Sequence, residues 1–349
     1  MKIAGLRVAL DATYSLGRDL SGVGVYSREI LHGLARAHPQ ARYLFCYRLH
    51  RFLRSFSEPL PSNVKRRLLR ENHAPSANLF HGLNQRLGTG PFRRAVSTFH
   101  DLFVISGDYS SPEFRDRFAA QARAAAERSE LIIAVSAFTA RQVEQLLDVE
   151  PSRIRVIHHG VCPVAPAPAV QEQMILSVGA IQRRKNTTRL VEAFEQLDSG
   201  WKLILAGSSG FESQETLQRI ERSPRKDDIQ VLGYVSSPQL EELYRRAAIF
   251  AFPSLDEGFG MPILDAMARG VPVLTSNVSA MPEVAGDAGL LVDPRDVTSI
   301  ADGLRRLTED TELREKLNRA GFARVQEFSW EKSVEETWKV YQELLGRAT

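Results

Sequence analysis

Short apolar runs rich in Val, Ile and Phe recur along the chain, and between them the apolar positions switch to a helical spacing. In the first half the runs "LRVALDA", "YLFCYR", "AVSTFHD" and "LIIAVS" predict strands; in the second, "MILSVGA", "KLILAGS", "IQVLGYV", "AIFAFPS", "VPVLTSN" and "GLLVDP" do so. Most are continuous rather than alternating, as parallel strands covered on both faces require. Helices are predicted over residues 23–37, 112–128, 137–147, 187–197, 237–247, 262–269 and 296–307. Strand and helix in alternation is the pattern of βαβ units, so the expected class is α/β. A last helix in "WEKSVEETWKVYQELLGR" lines up Val334, Trp338, Val340, Tyr341, Leu344 and Leu345 and is expected to pack as a brace.

A chain of 349 residues is longer than one core of about 100–200 residues supports, so two domains are expected. The stretch "HHGVCPVAPAPAVQEQ" (158–173) marks the boundary, because its Pro/Ala run suits an extended linker better than a helix or inner strand. The expected division is 1–163, a linker at 164–173, 174–330, and a terminal helix at 331–349.

Composition adds little to the class but narrows the setting. Apolar residues make up 43% and charged residues 25%, as in a soluble globular protein. No apolar run approaches the roughly 20 residues that span a bilayer. The opening "MKIAGLRVALDATYS" reads as a first strand rather than a signal peptide. Cys46 and Cys162 have no metal or disulfide spacing, which fits a reducing cytoplasm. Charge is uneven: residues 1–170 hold 23 Lys/Arg against 14 Asp/Glu (+9), and residues 171–349 hold 22 against 28 (−6). Much of the excess lies in "YRLHRFLRSF" and "VKRRLLRENH", where Arg48, Arg51, Arg54, Lys65, Arg66, Arg67 and Arg70 stand among Leu and Phe. These read as two solvated helix faces, with peripheral contact to a negatively charged inner membrane face as the alternative. Nucleic acid is not expected, since no binding motif accompanies the charge.

The stretch "EGFGMPILDAMARG" (257–270) follows a strand and opens a helix. Pro262 suits the first helical turn and Gly270 the cap at its end. Gly258, Phe259 and Gly260 form a bare turn whose backbone amides could approach an anion, with the helix dipole in support. Glu257 on the loop and Asp265 in the first turn could face the same space. A second stretch, "ILSVGAIQRRKNTTRLVEAF", sets Arg183, Arg184 and Lys185 before Asn186, which reads as a helix N-cap. Cations at a helix start are unfavourable unless an anion lies there, so a phosphate group is the expected partner.

Together these elements resemble the retaining glycosyltransferases of family 4, in particular their mannosyltransferase-like branch. "DEGFGMPILDAMARGVPVLTSNVSAMPEVAGDAGLLVDP" (256–294) is similar to that family's donor-site signature over its full length, and "SGVGVYSREIL", "STFHDL", "VSAFTARQV", "VIHHGV", "VGAIQRRKN" and "VLGYVSSPQLEELYRRA" match further segments in order. The resemblance implies the GT-B fold, two Rossmann-like domains facing across a central cleft. The first would bind the acceptor and the second the nucleotide-sugar donor. It implies that Glu257 contacts the sugar hydroxyls, that Gly258, Phe259, Gly260 and Met261 approach the sugar and diphosphate, and that Asp265 replaces the family's second Glu at the ribose, one methylene shorter. Lys185 matches the diphosphate lysine. Ala180 stands where an Arg is frequent, so Arg184 supplies the second cation, as in the branch with a Glu-Pro-Arg-Lys-Asn motif; here Gln182 and Arg183 replace its Glu-Pro. Gly179 falls in the same donor loop, and Tyr234 and Val235, after Gly233, fall where the base is held, uracil or guanine. In the first half His100 would reach the sugar near the reacting carbon, with Asp101 beside it. Gly22, Val23 and Gly24 would lie against the diphosphate and the acceptor, with His81 a weaker acceptor-side candidate. Ser136 and Thr139 are explained by helix capping.

The implied reaction is transfer of a hexose, mannose or a related sugar, from a GDP- or UDP-linked donor to a glycan hydroxyl, the glycan lipid-linked or free, with retention at the anomeric carbon. No cofactor and no metal are expected, because no Asp-x-Asp motif ends a strand and Arg184 and Lys185 can meet the leaving charge. A sugar-nucleotide epimerase, a phosphorylase, or an inactive nucleotide-sugar-binding protein on the same fold are the competing readings.

Overall fold

The structure is a computed structural model that describes residues 5–17, 20–70, 73, 75–162, 164 and 171–346. Residues up to Gly160 together with those from Phe328 on form one compact unit, and Val161–Glu327 form the other. Most of the sequence-expected linker (165–170) lies outside the described residues.

The first unit is built on seven parallel strands: β1 (Arg7–Asp11), β2 (Arg42–Tyr47), β3 (Val64–Leu68), β4 (Leu79–Gly82), β5 (Ala95–Phe99), β6 (Leu131–Ala134) and β7 (Ile154–Val156), in the spatial order β3-β2-β1-β4-β5-β6-β7. The second has six: β8 (Glu172–Val178), β9 (Lys202–Ala206), β10 (Ile229–Gly233), β11 (Ala247–Phe252), β12 (Val273–Ser276) and β13 (Gly289–Val292), ordered β10-β9-β8-β11-β12-β13. Both are Rossmann-like α/β layers. The central strands are buried along nearly their whole length, which is why they read as unbroken apolar runs. In the second unit Leu203, Ile249 and Leu274 of the sheet meet Phe194, Ile300 and Leu304 of the flanking helices in one core.

The strand at Val64–Leu68 corrects the expected helix in "VKRRLLRENH". Val64 is buried, Lys65 and Arg67 are exposed, and Arg66 and Leu68 lie between. Among the described residues β3, at the edge of the sheet, pairs with β2 alone, and an edge strand tolerates cations on its exposed face. Strands β4 and β7, each of three or four residues, were too short to show a period. Helices at Ser213–Glu221, Met281–Ala285 and Thr311–Val325 also join those the periodicity predicts.

The terminal helix, Trp330–Gly346, packs within the first unit on the helix Gly22–Ala37. Its buried face carries Trp330, Val334, Trp338, Val340, Tyr341 and Leu344. Trp338 stacks on His38 with ring centroids 4.0 Å apart. The two helices approach closely at Gly33, where a Cβ would stand 2.4 Å from Val334 Cγ2. Burying side chains of this size stabilises by about 1.5–3 kcal/mol each, so this face is a main support of the unit.

Candidate active site

In the second unit β8 has β9 on one side and β11 on the other, so the winding of the chain reverses between β8 and β11. Loops leaving the C-terminal ends of two such strands diverge and open a crevice, the usual ligand position in an open parallel sheet. The loop after β8 carries Gly179 to Asn186 and the loop after β11 carries Pro253 to Gly260. The two stretches that sequence alone singled out therefore meet at one point.

The loops are tied by their backbone, Leu255 N–H donating to Arg184 O at 2.8 Å. Asn186 ties them again. Its Nδ2 donates to Pro253 O (2.9 Å) and Pro294 O (2.6 Å), and its Oδ1 accepts from Arg189 Nη1 at 3.1 Å. This refines the N-cap reading: Asn186 stands at the N-cap position, but at φ +60° rather than extended, and its side chain staples the loops instead of bonding to the helix start at Thr187.

Arg184, Lys185 and Glu257 form one cluster. Arg184 Nη1 lies 2.7 Å from Glu257 Oε2 and donates to Asp256 O at 2.6 Å. Lys185 Nζ lies 2.5 Å from Glu257 Oε1 and 4.5 Å from the centre of the Phe252 ring. Arg184 and Glu257 are both 8% exposed. Burial alone would push the Glu257 carboxyl up, but the charges and hydrogen bonds of Arg184 and Lys185 outweigh it and hold it at about 2. Two cations against one carboxylate leave the cluster positive. Arg183 does not join it; that side chain is exposed and lies 3.9 Å from Glu212.

A third segment supports Glu257 from the β12 side. Its backbone N–H donates to Ser279 Oγ at 3.1 Å, and its carbonyl accepts from Ala280 N–H at 3.3 Å. Ser279 takes φ +55°, an uncommon value for a residue with a side chain. Ser279 was not singled out in the sequence, because only the fold brings it to the loop; Asp256, beside Glu257, contributes its backbone carbonyl, which no side-chain pattern marks.

Gly258, Phe259 and Gly260 are buried, and Gly260 at φ +100° turns the chain into the helix Met261–Ala268. Pro262 sits in the first turn, as its missing N–H allows. Asp265 lies beyond that turn, which corrects its sequence placement. Its Oδ1 is 3.6 Å from Arg269 Nη1, while Arg269 Nε and Nη2 reach Glu241 Oε2 at 2.8 and 2.7 Å. Although 37% of its side chain remains accessible, the protein crowds the carboxyl enough that desolvation pushes it up to about 6, with Arg269 opposing. Tyr234, after the left-handed Gly233, is 61% exposed, and Val235 is half-buried.

In the first unit the winding reverses between β1 and β4. Gly22, Val23 and Gly24 open the helix that follows β1, and Gly24 N–H donates to the Ser21 cap at 3.3 Å. His100 follows β5. Its Nε2 lies 2.9 Å from Leu83 O, a pure acceptor, so Nε2 carries the proton and Nδ1 does not. Burial lowers His100 to about 4, so the ring is neutral at pH 7. Tyr26 meets it edge-on at 4.8 Å and His159 stacks on it at 5.4 Å. Asp101 is half-buried beside it. His81 is fully buried, with Nδ1 2.6 Å from Tyr341 Oη and Nε2 2.8 Å from Thr98 Oγ1. Both nitrogens serve the interior, which corrects its acceptor-side reading. Ser136 caps the helix Ala137–Leu147 by accepting from Thr139 N–H at 2.9 Å.

Chemically, the second unit offers a fixed positive cluster at a helix-opening loop, which suits a phosphate-bearing ligand. The first offers a neutral imidazole at a strand end.

Comparison with known proteins gives a consistent picture. Residues 165–324 match the family described as Glycosyl transferases group 1, and residues 20–163 match Glycosyltransferase Family 4. The chain is 36% identical over 285 residues to the O-antigen chain mannosyltransferase B of Escherichia coli, covering 76% of this chain and 74% of that protein. A sucrose-phosphate synthase from Thermosynechococcus elongatus superposes with a TM-score of 0.77 at 21% identity, over 98% of this chain and all of that one. The Anabaena protein HepE in complex with UDP and glucose does so with a TM-score of 0.72 at 17% identity, over 97% and 99%.

Proposed function

Since the chain belongs to the glycosyl transferases group 1 and Glycosyltransferase Family 4, we propose that it transfers mannose, or a related hexose, from a nucleoside diphosphate sugar to a hydroxyl of a glycan acceptor. The observation that carries this reading is the Arg184–Lys185–Glu257 cluster at the point where the second sheet reverses its winding. The likeness to the E. coli mannosyltransferase supports mannose as the sugar and a growing polysaccharide as the acceptor. The acceptor's lipid carrier and the choice between GDP and UDP belong to the same proposal.

Breaking the sugar–phosphate bond leaves a diphosphate whose new charge must be met. Arg184 and Lys185, already fixed and partly dehydrated, take that role, with the amides of Gly258 to Met261 and of Gly179 in support. Fixed cations can do this work in place of a metal ion. Glu257 lies on the sugar side and orients its hydroxyls. Tyr234 and Val235 hold the base, and Asp265 the ribose. In the first unit, His100 serves the sugar near the reacting carbon as a neutral hydrogen-bonding group, with Asp101 beside it. Gly22 to Gly24 border the diphosphate and the acceptor. Among the described residues no carboxylate is read as the nucleophile, and attack on the face that the diphosphate leaves gives retention.

Incubation with GDP-mannose, UDP-glucose and related donors tests the reading. Acceptor-dependent release of nucleotide, undiminished by EDTA, with an α-linked product from an α-linked donor, is the expected outcome. A changed sugar without an acceptor would point to an epimerase instead, and binding without turnover to an inactive sugar-nucleotide protein.

A further inference from the structure

Sugar transfer leaves one surface of the first unit unused. Between β2 and β3 the chain runs through a one-turn helix, Leu49–Phe52, and a 3-10 turn, Leu53–Ser57. Leu49, Leu53 and Phe56, at helical spacing, are 75%, 80% and 61% exposed. Solvated cations were expected on this segment, and His50 and Arg54 are exposed; the apolar Leu49, Leu53 and Phe56 are exposed beside them.

The stripe is held out, not left loose. Arg48, where the segment begins, is buried, with Nη2 3.6 Å from Asp11 Oδ2, and its N–H donates to Thr13 Oγ1 at 3.2 Å. Ser55 is buried and donates to Phe52 O at 2.6 Å. From β3, Arg66 donates through Nε to Ser55 O at 3.0 Å and through Nη2 to Glu58 O, and its guanidinium lies 5.1 Å from the centre of the Phe56 ring. The inner side is therefore fastened to β1 and β3, and the apolar side chains have nowhere to turn but outward.

Charge identifies what covers them. Residues 48–57 contain His50, Arg51 and Arg54 besides Arg48, and no acid. Glu58, the next acid along the chain, lies 3.6 Å from Arg28. Apolar side chains rimmed by arginines match a surface in which acyl chains lie beneath anionic headgroups. A second copy of this chain would bring the same positive rim against itself.

We propose that the segment Leu49–Ser57 docks the first unit on an anionic phospholipid bilayer, with Leu49, Leu53 and Phe56 at the acyl boundary and Arg51 and Arg54 on the headgroups. Docking of this kind holds whatever sugar donor the chain uses. It would place the unit beside acceptors carried on lipid.

Vesicle flotation of the full chain, on phosphatidylcholine alone and with about 30% phosphatidylglycerol, tests the proposal. The native chain is expected to partition about tenfold more strongly onto the anionic vesicles, and Leu53→Ser/Phe56→Ser and Arg51→Glu/Arg54→Glu each to lose about tenfold of that. Phe56→Trp keeps the stripe, and its fluorescence should be quenched by brominated lipid in the anionic vesicles. Absence of the native chain from those vesicles, undiminished flotation of the Leu53→Ser/Phe56→Ser chain, or an unquenched Trp at 56 would overturn the proposal. So would a native dimer in solution that Leu53→Ser/Phe56→Ser abolishes, since the stripe would then belong to a second copy.

Discussion

Lys185 Nζ and Glu257 Oε1 meet at 2.5 Å across the two loops that open at the reversal of the second sheet, and Arg184 takes the other carboxylate oxygen at 2.7 Å. Glu257 therefore has two duties. It neutralises one of two nearly buried cations, and it fixes both side chains in place before any anion arrives. In the proposed reaction the same cations must turn part of their charge to a diphosphate.

Replacing the carboxylate without changing its shape separates its hold on the cations from its proposed contact with the sugar. Glu257→Gln should lower transfer by about 100-fold or more, because charged hydrogen bonds to the sugar are lost. The dissociation constant for the free nucleoside diphosphate should hold or tighten, since both cations are released to it. Arg184→Ala should instead raise that constant roughly 10- to 100-fold, the equivalent of about 1.5–3 kcal/mol for one charge-assisted contact. Calorimetric titration of each variant checks both. The native carboxylate, held at about 2, lends stability that is complete above the unfolded carboxyl range near about 4.3 and is lost as pH falls from there through about 2.

Asp265 behaves oppositely. Its carboxyl is pushed up to about 6, so the folded protein binds a proton more tightly than the unfolded chain does. The ionised form thus opposes folding: stability falls as pH rises from about 3.9 through about 6 and stays lowered above. Its partial exposure and the nearby Arg269 reduce the effect. Asp265→Asn should raise the thermal midpoint at pH 7.5 and leave it nearly unchanged at pH 4. If Asp265 holds the ribose, affinity for a nucleotide sugar, whose doubly esterified diphosphate does not titrate in this range, should improve in the native protein as pH rises through 6, and that rise should vanish in Asp265→Asn.

Asn186 is tested by its backbone as much as by its side chain. Asn186→Ala removes two donated hydrogen bonds, each worth about 1 kcal/mol, and leaves at φ +60° an alanine, which tolerates that conformation less well than asparagine, at a further cost of up to about 1 kcal/mol. Asn186→Gly spares the second cost alone. Urea unfolding should rank native, Gly, Ala in falling stability, and both variants should lose diphosphate affinity as the loop after β8 drifts from Pro253.

How much of this was legible before the structure depends on the physical signal each part left. Central strands such as β11 announce themselves as unbroken apolar runs, and Arg184, Lys185 and Glu257 stand out because cations before a helix and a bare glycine turn are locally unfavourable without a ligand. The edge strand β3 was misread because half its residues face solvent and its stability comes from pairing with β2, which leaves no mark in its own sequence. The place of Asn186 at the N-cap was legible, but its cross-loop bonds were not, because a cap and a staple use the same residue and only φ tells them apart. His81 looked like a site residue because a histidine at a strand end gives no sign of whether its nitrogens face a ligand or a tyrosine 260 positions away. The outward apolar stripe of Leu49, Leu53 and Phe56 was hidden among the arginines that rim it.

The buried histidines of the first unit make its stability sensitive to mild acid. His81 is lowered to about 3 and His100 to about 4 by burial, and His159 is lowered well below its ordinary value by burial beside His100. Each is neutral when folded but titrates near about 6.5 when unfolded. The unfolded chain therefore takes up protons first, and stability is lost as pH falls from about 6.5 through about 4, at roughly 1–2 kcal/mol each for His81 and His100 by pH 5, with His159 acting in the same direction. Trp330 and Trp338 are buried in the same unit and report its unfolding by fluorescence. Their urea midpoint should fall steeply between pH 7.5 and pH 5. Tyr341→Phe, which removes the hydroxyl 2.6 Å from His81 Nδ1, should lower stability at both pH values without removing that slope. A midpoint that stays flat over this range would mean that the three rings are protonated, and solvated, in the folded protein. In that case His100 could not serve the sugar as a neutral hydrogen-bonding group.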